Sequence, residues 1–393
     1  MKLSNITIKN YRAIDDIKIS LNSNMNVIYG ENGTGKSSII YLIYDLINTI
    51  QMNPEVALKI FHKERVRNIN KEASVAIEGI NNEIIKVSFP PNQQNEISTK
   101  NVDDLNIKCV GFIPGMFSQN ISQKIENGQI SFEVSVAPKF VCTRGIINYA
   151  KLKENFFNLE YDENKKRVSE YEKTGKMEYN NPALQKIRTA IKEINPIFGK
   201  ITIEGEKDKR TLIVEKNSIP LNVEDQLSSG EASVIAMIGE ICIEAYAEPN
   251  EKDIVVLIDE VDASLHPQWQ MRIGKILKTS FPDVQFIMTS HSPFIWAGLN
   301  KEEIIWLSHD DQDHIIQKNV EYAKGGSVES IVAEFFDTDS YDNDFSIELH
   351  EIENIIQNKD AKKATTALSK LKKKYGNLPV ISQLEFKMRL LGL

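Results

Sequence analysis

The sequence predicts an α/β chain: a mostly parallel sheet covered on both faces, preceded by an antiparallel β portion, interrupted by an inserted α+β region and closed by a helical C-terminal appendage. Three features carry this expectation. A short apolar run, Met25 to Tyr29, meets a glycine-rich loop and then an apolar helix from Ile39 to Ile50. From Leu227 onward helices alternate with almost continuously apolar strands, as expected of strands buried on both faces of a parallel sheet. After about Val320 the chain becomes helical and rich in Lys, Glu and Asn.

The elements follow in order. Leu3, Ile6, Ile8 and Tyr11, then Ile14, Ile17, Ile19 and Leu21, alternate as two strands, with a turn expected around Asp15 and Asp16, so that residues 1–50 form an N-terminal lobe. In the inserted region, 51–225, short strands are expected at Ala73 to Ile77, Ile84 to Phe89, Ile130 to Val136, Ile201 to Ile203 and Thr211 to Val214. Helices are expected over Tyr149 to Tyr171 and Pro182 to Ile194, and Pro90 to Glu96 reads as an exposed loop. Residues 226–319 form a second lobe: helix Glu231 to Ala247, strand Ile254 to Ile258, helix Pro267 to Thr279, strand Val284 to Met288. In 320–393, Leu349, Ile352, Ile355 and Ile356, then Ala364, Leu368 and Leu371, have helical spacing. These stripes either fold back on the core or offer a partner a docking surface.

Composition sets bounds. The 393 residues carry 47 Lys+Arg against 55 Asp+Glu, a formal charge of −8, which argues against coating nucleic acid by bulk charge while leaving room for a local basic groove. No run of about 18 apolar residues occurs and the start lacks the order of a secretory signal, so a cytoplasmic protein without a membrane partner is expected. Cys109, Cys142 and Cys242 have neither disulfide-framework nor zinc spacing and read as reduced core thiols.

Four segments carry chemistry. Gly30-Glu31-Asn32-Gly33-Thr34-Gly35-Lys36-Ser37, followed by Ser38, fits G-x-x-x-x-G-K-[ST] between a strand and a helix. Its glycines let backbone N–H groups turn toward phosphates, Lys36 neutralises the β/γ oxygens and Ser37 offers a hydroxyl to Mg²⁺. In IVVLIDE, Asp259 at the end of a buried strand can reach that ion, and Glu260 can polarise an attacking water. His291, in TSHSP after the next apolar strand, falls at the same carboxyl edge, where it either holds the γ-phosphate or the water or is a bystander. Leu227-Ser228-Ser229-Gly230-Glu231 opens a helix and is either an anion site or a plain N-cap with Glu231 complementing the dipole.

Together these segments resemble the ABC-type ATPase heads of the SMC, Rad50, RecF and OLD group: GENGTGKS as Walker A, LSSGE as the signature, IVVLIDE as Walker B, VDASLHP as the D-loop and SHSP as the switch histidine, with LSNITIKNYRAIDDIKISL as the opening hairpin. The resemblance covers about residues 1–50 and 225–310. It implies a head-to-tail homodimer, or a higher even-numbered oligomer, with ATP and Mg²⁺ held between the Walker A of one copy and the signature of the other. Glu260 would then be the general base, Asp259 and Ser37 the Mg²⁺ ligands, and Ser229 and Gly230 the donors to the γ-phosphate. Gln119, Gln123 and Arg144 stand as alternatives for a further ligand.

The 189 residues between Ser37 and Leu227 are too few and too broken for the long arms of SMC or Rad50. HDDQDH at His309 to His314 reads as an acidic turn between two strands rather than as a nuclease centre. The stretches YAKGGSVESIVAEFF and IELHEIENIIQNKDAKKATTALSKLKKKYGNLPVISQLEFKMRLLG resemble the C-terminal region of Septu-type anti-phage ATPases and retron-associated ATPases. That resemblance implies an ATPase acting with a separately encoded HNH-type nuclease. A RecF-like clamp that holds DNA directly and a nucleotide-gated scaffold of slow turnover fit the same motifs.

Overall fold

The computed structural model describes residues 2–51, 66–91, 96–101, 107–112, 121–126, 129–134, 149–205, 209–246, 253–263, 265–335 and 343–392. The chain divides into two units, Met1–Gly326 and Ser327–Leu393. The first opens with β1 (Leu3–Tyr11), β2 (Ile14–Ser20), β3 (Met25–Gly30), α1 (Lys36–Gln51), β4 (Ala73–Gly79), β5 (Ile84–Phe89), β6 (Glu96–Lys100) and β7 (Ile107–Phe112). There follow β8 (Ile121–Glu126), β9 (Gln129–Val134), α2 (Tyr149–Thr174), α3 (Pro182–Ile194), β10 (Phe198–Glu204), β11 (Thr211–Lys216), β12 (Ile219–Asn222) and α4 (Ser229–Tyr246). The unit ends with β13 (Asp253–Ile258), α5 (Pro267–Ser280), β14 (Val284–Thr289), α6 (Pro293–Ala297), β15 (Ile304–His309) and β16 (Ile315–Lys318).

The central sheet has the order β16-β15-β3-β14-β13-β7 and is parallel except for β16. Every residue of β14, and all of β13 after Asp253, is buried, which explains their unbroken apolar runs. A second sheet, β2-β1-β4-β5-β6, is antiparallel, and its inner strands alternate buried with less buried residues. Helix α1 touches strands of both sheets. Its Ile39, Ile43, Leu46 and Ile47 share one core with Ile6 and Ile8 of β1 and with Val255 and Ile287 of the central sheet. Gln285 reinforces this junction: its fully buried amide accepts from Leu3 N at 2.7 Å and donates to Leu3 O and Asn22 O at 2.7 Å, a side chain standing in for a ladder strand.

Two sequence expectations are corrected. The first hairpin turns at Arg12 and Ala13, because strand pairing resumes at Tyr11↔Ile14. Arg12 takes φ 55°, while Asp15 and Asp16 lie within β2 and pair with Arg67 (3.4 Å) and Lys9 (3.6 Å). Residues 51–225 do not stand apart: β4, β5 and β6 extend the β1–β2 sheet, and β7 forms the edge of the central sheet beside β13. β4 and β5 each have an apolar face that a lobe of 50 residues could not cover alone, and the open edges of β1 and β13 supply ladder partners.

The second unit holds α7 (Val328–Phe335), α8 (Asn343–Gln357), α9 (Ala361–Tyr375) and α10 (Pro379–Leu390). It begins at Ser327 rather than at 320. The apolar stripes of α8 and α9 are spent inside this unit: Leu349, Ile352 and Ile356 pack with Ala364, Leu368 and Leu371 and with Ile381, Leu384 and Met388 of α10. Three amphipathic helices close a small core of their own, an outcome that neither expectation for these stripes anticipated. Among the described residues, no helix is long and apolar enough to cross a membrane.

Candidate functional site

The site is built at the carboxyl ends of β3, β13 and β14, which the parallel pairing places side by side. The loop after β3 needs its glycines. Gly33 and Gly35 have φ of 92° and 81°, and a Cβ on Gly30 would lie 2.6 Å from Leu307 O and from Thr34 Oγ1. Thr34 is buried and its hydroxyl donates to Glu31 O at 2.9 Å, while Glu31, Asn32 and Gly33 are exposed at the tip. Lys36 is only 6% exposed, and its ammonium donates to Gly30 O (2.9 Å) and Glu31 O (2.8 Å), bracing the loop from inside. Burial lowers its pKa to about 8 against the opposing pull of Asp259, Glu260, Asp262 and Glu31.

Ser37 Oγ donates to Asp259 Oδ1 at 3.1 Å, joining the glycine loop to the acidic strand. The same carboxylate oxygen accepts from the hydroxyl of Thr289, the last residue of β14. Thr289 Oγ1 in turn accepts from Glu260 N at 2.7 Å, and Thr289 O accepts from Val261 N at 3.0 Å. These contacts hold Glu260 at φ 52°, a left-handed conformation that is costly for any residue with a Cβ. His291 lies at the surface, with its backbone N–H donating to Asp262 Oδ1 at 3.3 Å. Partial burial of the ring, then the charge of Lys36, lowers its pKa, while Asp262, Glu260 and Asp259 pull the other way, so the imidazole is neutral at pH 7. Lys36, Ser37, Asp259, Glu260 and His291 are thus brought to one place.

The segment 227–231 is elsewhere. Ser228 caps α4 in a capping box: Ser228 N and Oγ donate to Glu231 Oε2 at 3.1 and 3.0 Å, and Glu231 N donates back to Ser228 Oγ at 3.4 Å. The other Glu231 oxygen pairs with Lys216 at 2.8 Å. Burial opposes ionisation here, but Lys216 and Ser228 outweigh it and lower the carboxyl's pKa. Ser228 and Ser229 face solvent, Leu227 and Gly230 are half-buried, and among the described residues no hydrogen bond joins 227–231 to 30–38. The N-cap reading of Ser228 and Glu231 is therefore realised, and Ser229 is left exposed beside the cap.

Gln119 and Arg144 lie outside the described residues, and Gln123 lies on β8, its side chain outside the description. The His309 to His314 stretch is a hairpin turn between β15 and β16, in which Asp310 Oδ1 accepts from Gln312 N (2.9 Å) and His314 N (2.8 Å). Three neighbours escaped the sequence reading. Arg12 Nη1 donates to Ser38 Oγ at 3.1 Å, and Thr289 and Gln270 support the loops around Glu260 and His291. The available signal for Thr289 was a hydroxyl residue ending the strand beside Walker B. For Arg12 and Gln270 nothing local marks them out.

The residues fit a nucleotide triphosphate with Mg²⁺. Glycine-lined backbone and a buried ammonium suit phosphate oxygens, and Ser37 with Asp259 offers the hard oxygen ligands that Mg²⁺ takes in small number alongside phosphate and water. Among the described residues there is no group of three or more His, Cys, Asp or Glu that could hold a metal ion.

The chain is 33% identical over 161 residues to the Retron Ec83 probable ATPase of Escherichia coli, covering 39% of this chain and 28% of that protein. It is 25% identical over 349 residues to the Septu protein PtuA of Bacillus mycoides (strain KBAB4), covering 85% of this chain and 44% of that one. The matches thus span under half the length of either relative. In fold it is similar to the SMC head crystallised with the C-terminal winged-helix domain of ScpA, with a TM-score of 0.50, 15% identity, and coverage of 82% of this chain and 98% of that one. The RecF/RecN/SMC N terminal domain model matches residues 2–315, and the chain belongs to that family.

Proposed function

We propose that this protein is an ATP-hydrolysing head that closes as a pair around two nucleotides and governs a partner nuclease in defence against phage. The observation that carries the ATPase reading is the 3.1 Å contact between Ser37 Oγ and Asp259 Oδ1 beside the glycine loop. In this reading Gly30, Gly33, Thr34 and Gly35 shape the loop whose N–H groups bind the phosphates, and Lys36 turns from its two carbonyls to the β/γ oxygens. Ser37 and Asp259 would hold Mg²⁺, and the ion would supply charge neutralisation on the phosphoryl oxygens. Glu260 accepts a proton from the attacking water, and neutral His291 orients that water or donates to the γ-phosphate.

The pairing follows from the outward-facing start of α4. Ser228 and Ser229 are exposed at the positive end of that helix, whose first-turn acid is Glu231. A second copy, turned head to tail, would bring them to the γ-phosphate and complete the site. The relatives named for retron and Septu systems support the defence role, and an HNH-type nuclease is the partner that the sequence resemblance implies.

The test uses Lys36→Ala and Glu260→Gln, with mass measured by light scattering in MgATP. The wild type should pair transiently and Glu260→Gln should remain paired, its turnover falling by roughly 10²–10⁴. Lys36→Ala should stay unpaired. Wild-type turnover in Glu260→Gln would remove the assigned base, and unchanged mass in every variant would remove the pairing.

A further inference from the structure

Gln270, in the first turns of α5, makes three hydrogen bonds with one amide. Its Nε2 donates to Asp262 O at 3.2 Å and to Leu265 O at 2.9 Å, and its Oε1 accepts from Ser292 Oγ at 2.5 Å. The orientation of the amide is forced by its partners. Both carbonyls can only accept, so the NH₂ group must face them. Ser292 Oγ already accepts from Phe294 N at 3.1 Å as the N-cap of α6, which leaves its proton for Oε1.

The two loops so joined are those that carry the site. One follows β13 and holds Glu260 to Leu265, and the other follows β14 and holds Ser290 to Ser292. The loop after β13 starts from the left-handed Glu260, held at that end by Thr289. Its far end hangs on Gln270, and between them Asp262 Oδ1 accepts from His291 N at 3.3 Å. The loop after β14 is tied to the glycine-loop strand through Ser290 N, which donates to Ile28 O at 3.2 Å, and Ser290 Oγ accepts from Ser292 N at 2.9 Å. Gln270 makes no hydrogen bond to residues 30–38 among the described residues.

We infer that Gln270 is a positioning residue that makes the Glu260 loop and the His291 loop move as one body, so that base and imidazole keep their mutual placement while the nucleotide-binding loop is untouched. This rests on the ATPase reading above. Removing the clamp should lower the rate of hydrolysis and leave MgATP affinity intact, because the lost contacts align groups around the reacting water rather than hold the phosphates.

The test takes the full chain with Gln270→Met, which keeps length and flexibility but cannot bridge, and Gln270→Glu, whose carboxylate faces two carbonyls it cannot donate to. MgATP Kd and the single-turnover rate are measured from pH 6 to 8, with Glu260→Gln in parallel. For Gln270→Met, Kd should stay within about twofold and the rate should drop about 10- to 100-fold, the usual range for groups one shell out. For Gln270→Glu, the rate should fall at least as far across this pH range, because a carboxylate can donate to neither carbonyl. A wild-type rate in Gln270→Met, or a rate that falls only in step with Kd or with the folded fraction, overturns the inference. Should Glu260→Gln be inactive while Gln270→Met keeps the wild-type rate, the clamp alone fails. A fully active Glu260→Gln would instead remove Glu260 as the base, the assignment on which this inference rests.

Discussion

Ser37 Oγ and Asp259 Oδ1 meet at 3.1 Å across 222 residues of chain, and the contact ties the glycine loop to the acidic strand end. It exists because β3 and β13 flank β14 in a parallel register, so their carboxyl ends arrive at the same level. Asp259→Asn keeps the shape and removes the charge. Magnesium dependence of nucleotide binding should weaken by more than about tenfold, since even outer-shell partners of a metal commonly contribute 10- to 100-fold. Calorimetry of ATP with and without Mg²⁺ reads this directly.

Thr289→Val replaces a hydroxyl that serves both Asp259 and Glu260 while preserving β-branching and volume in a buried strand. Turnover should fall about 10-fold or more with little change in ATP affinity. A rate equal to that of the wild type would show that Glu260 keeps its left-handed geometry without this support.

Glu231→Gln should remove the charge from the α4 cap and lower stability by about 1 kcal/mol at neutral pH. The folded carboxyl has a pKa below the ordinary 4.5, so its contribution is complete above that value and disappears as pH falls through the lowered one. Melting curves of wild type and variant should therefore differ at pH 7 and converge in acid.

Gln285→Leu strips the partners from Leu3 N and Leu3 O inside the core. Two buried backbone groups left unpaired, at about 1–3 kcal/mol each, should destabilise the first unit by roughly 2–4 kcal/mol. Urea unfolding gives the number, and a loss below about 1 kcal/mol would mean that another donor replaces the amide.

The candidate site was legible wherever chemistry is written locally. Gly30 to Ser37, Asp259, Glu260 and His291 each follow an apolar strand, and a parallel sheet brings strand ends together whatever the intervening length. Legibility ended where a partner is distant in sequence or carries no pattern. β7, with Lys108 and Gly111 interrupting its apolar run, gives no strand signature, yet it completes the central sheet because β13 has an open edge. The hairpin turn was misplaced because Asp15 and Asp16 look like turn residues, whereas the ladder register of Ile14 decided the matter.

By itself, the sequence determined the glycine loop between a strand and a helix, the strand-end acids and the family, since each depends on near-neighbour spacing and on how apolar residues repeat. Only the tertiary structure decided that Thr289 is shared between Asp259 and Glu260, that Gln270 bridges two loops and that the stripes of α8 and α9 are spent within their own unit. The physical reason is directional. Burial depends on composition along the chain, but a hydrogen bond needs two groups at about 3 Å and aligned, and which groups meet is settled when strands pair and helices pack.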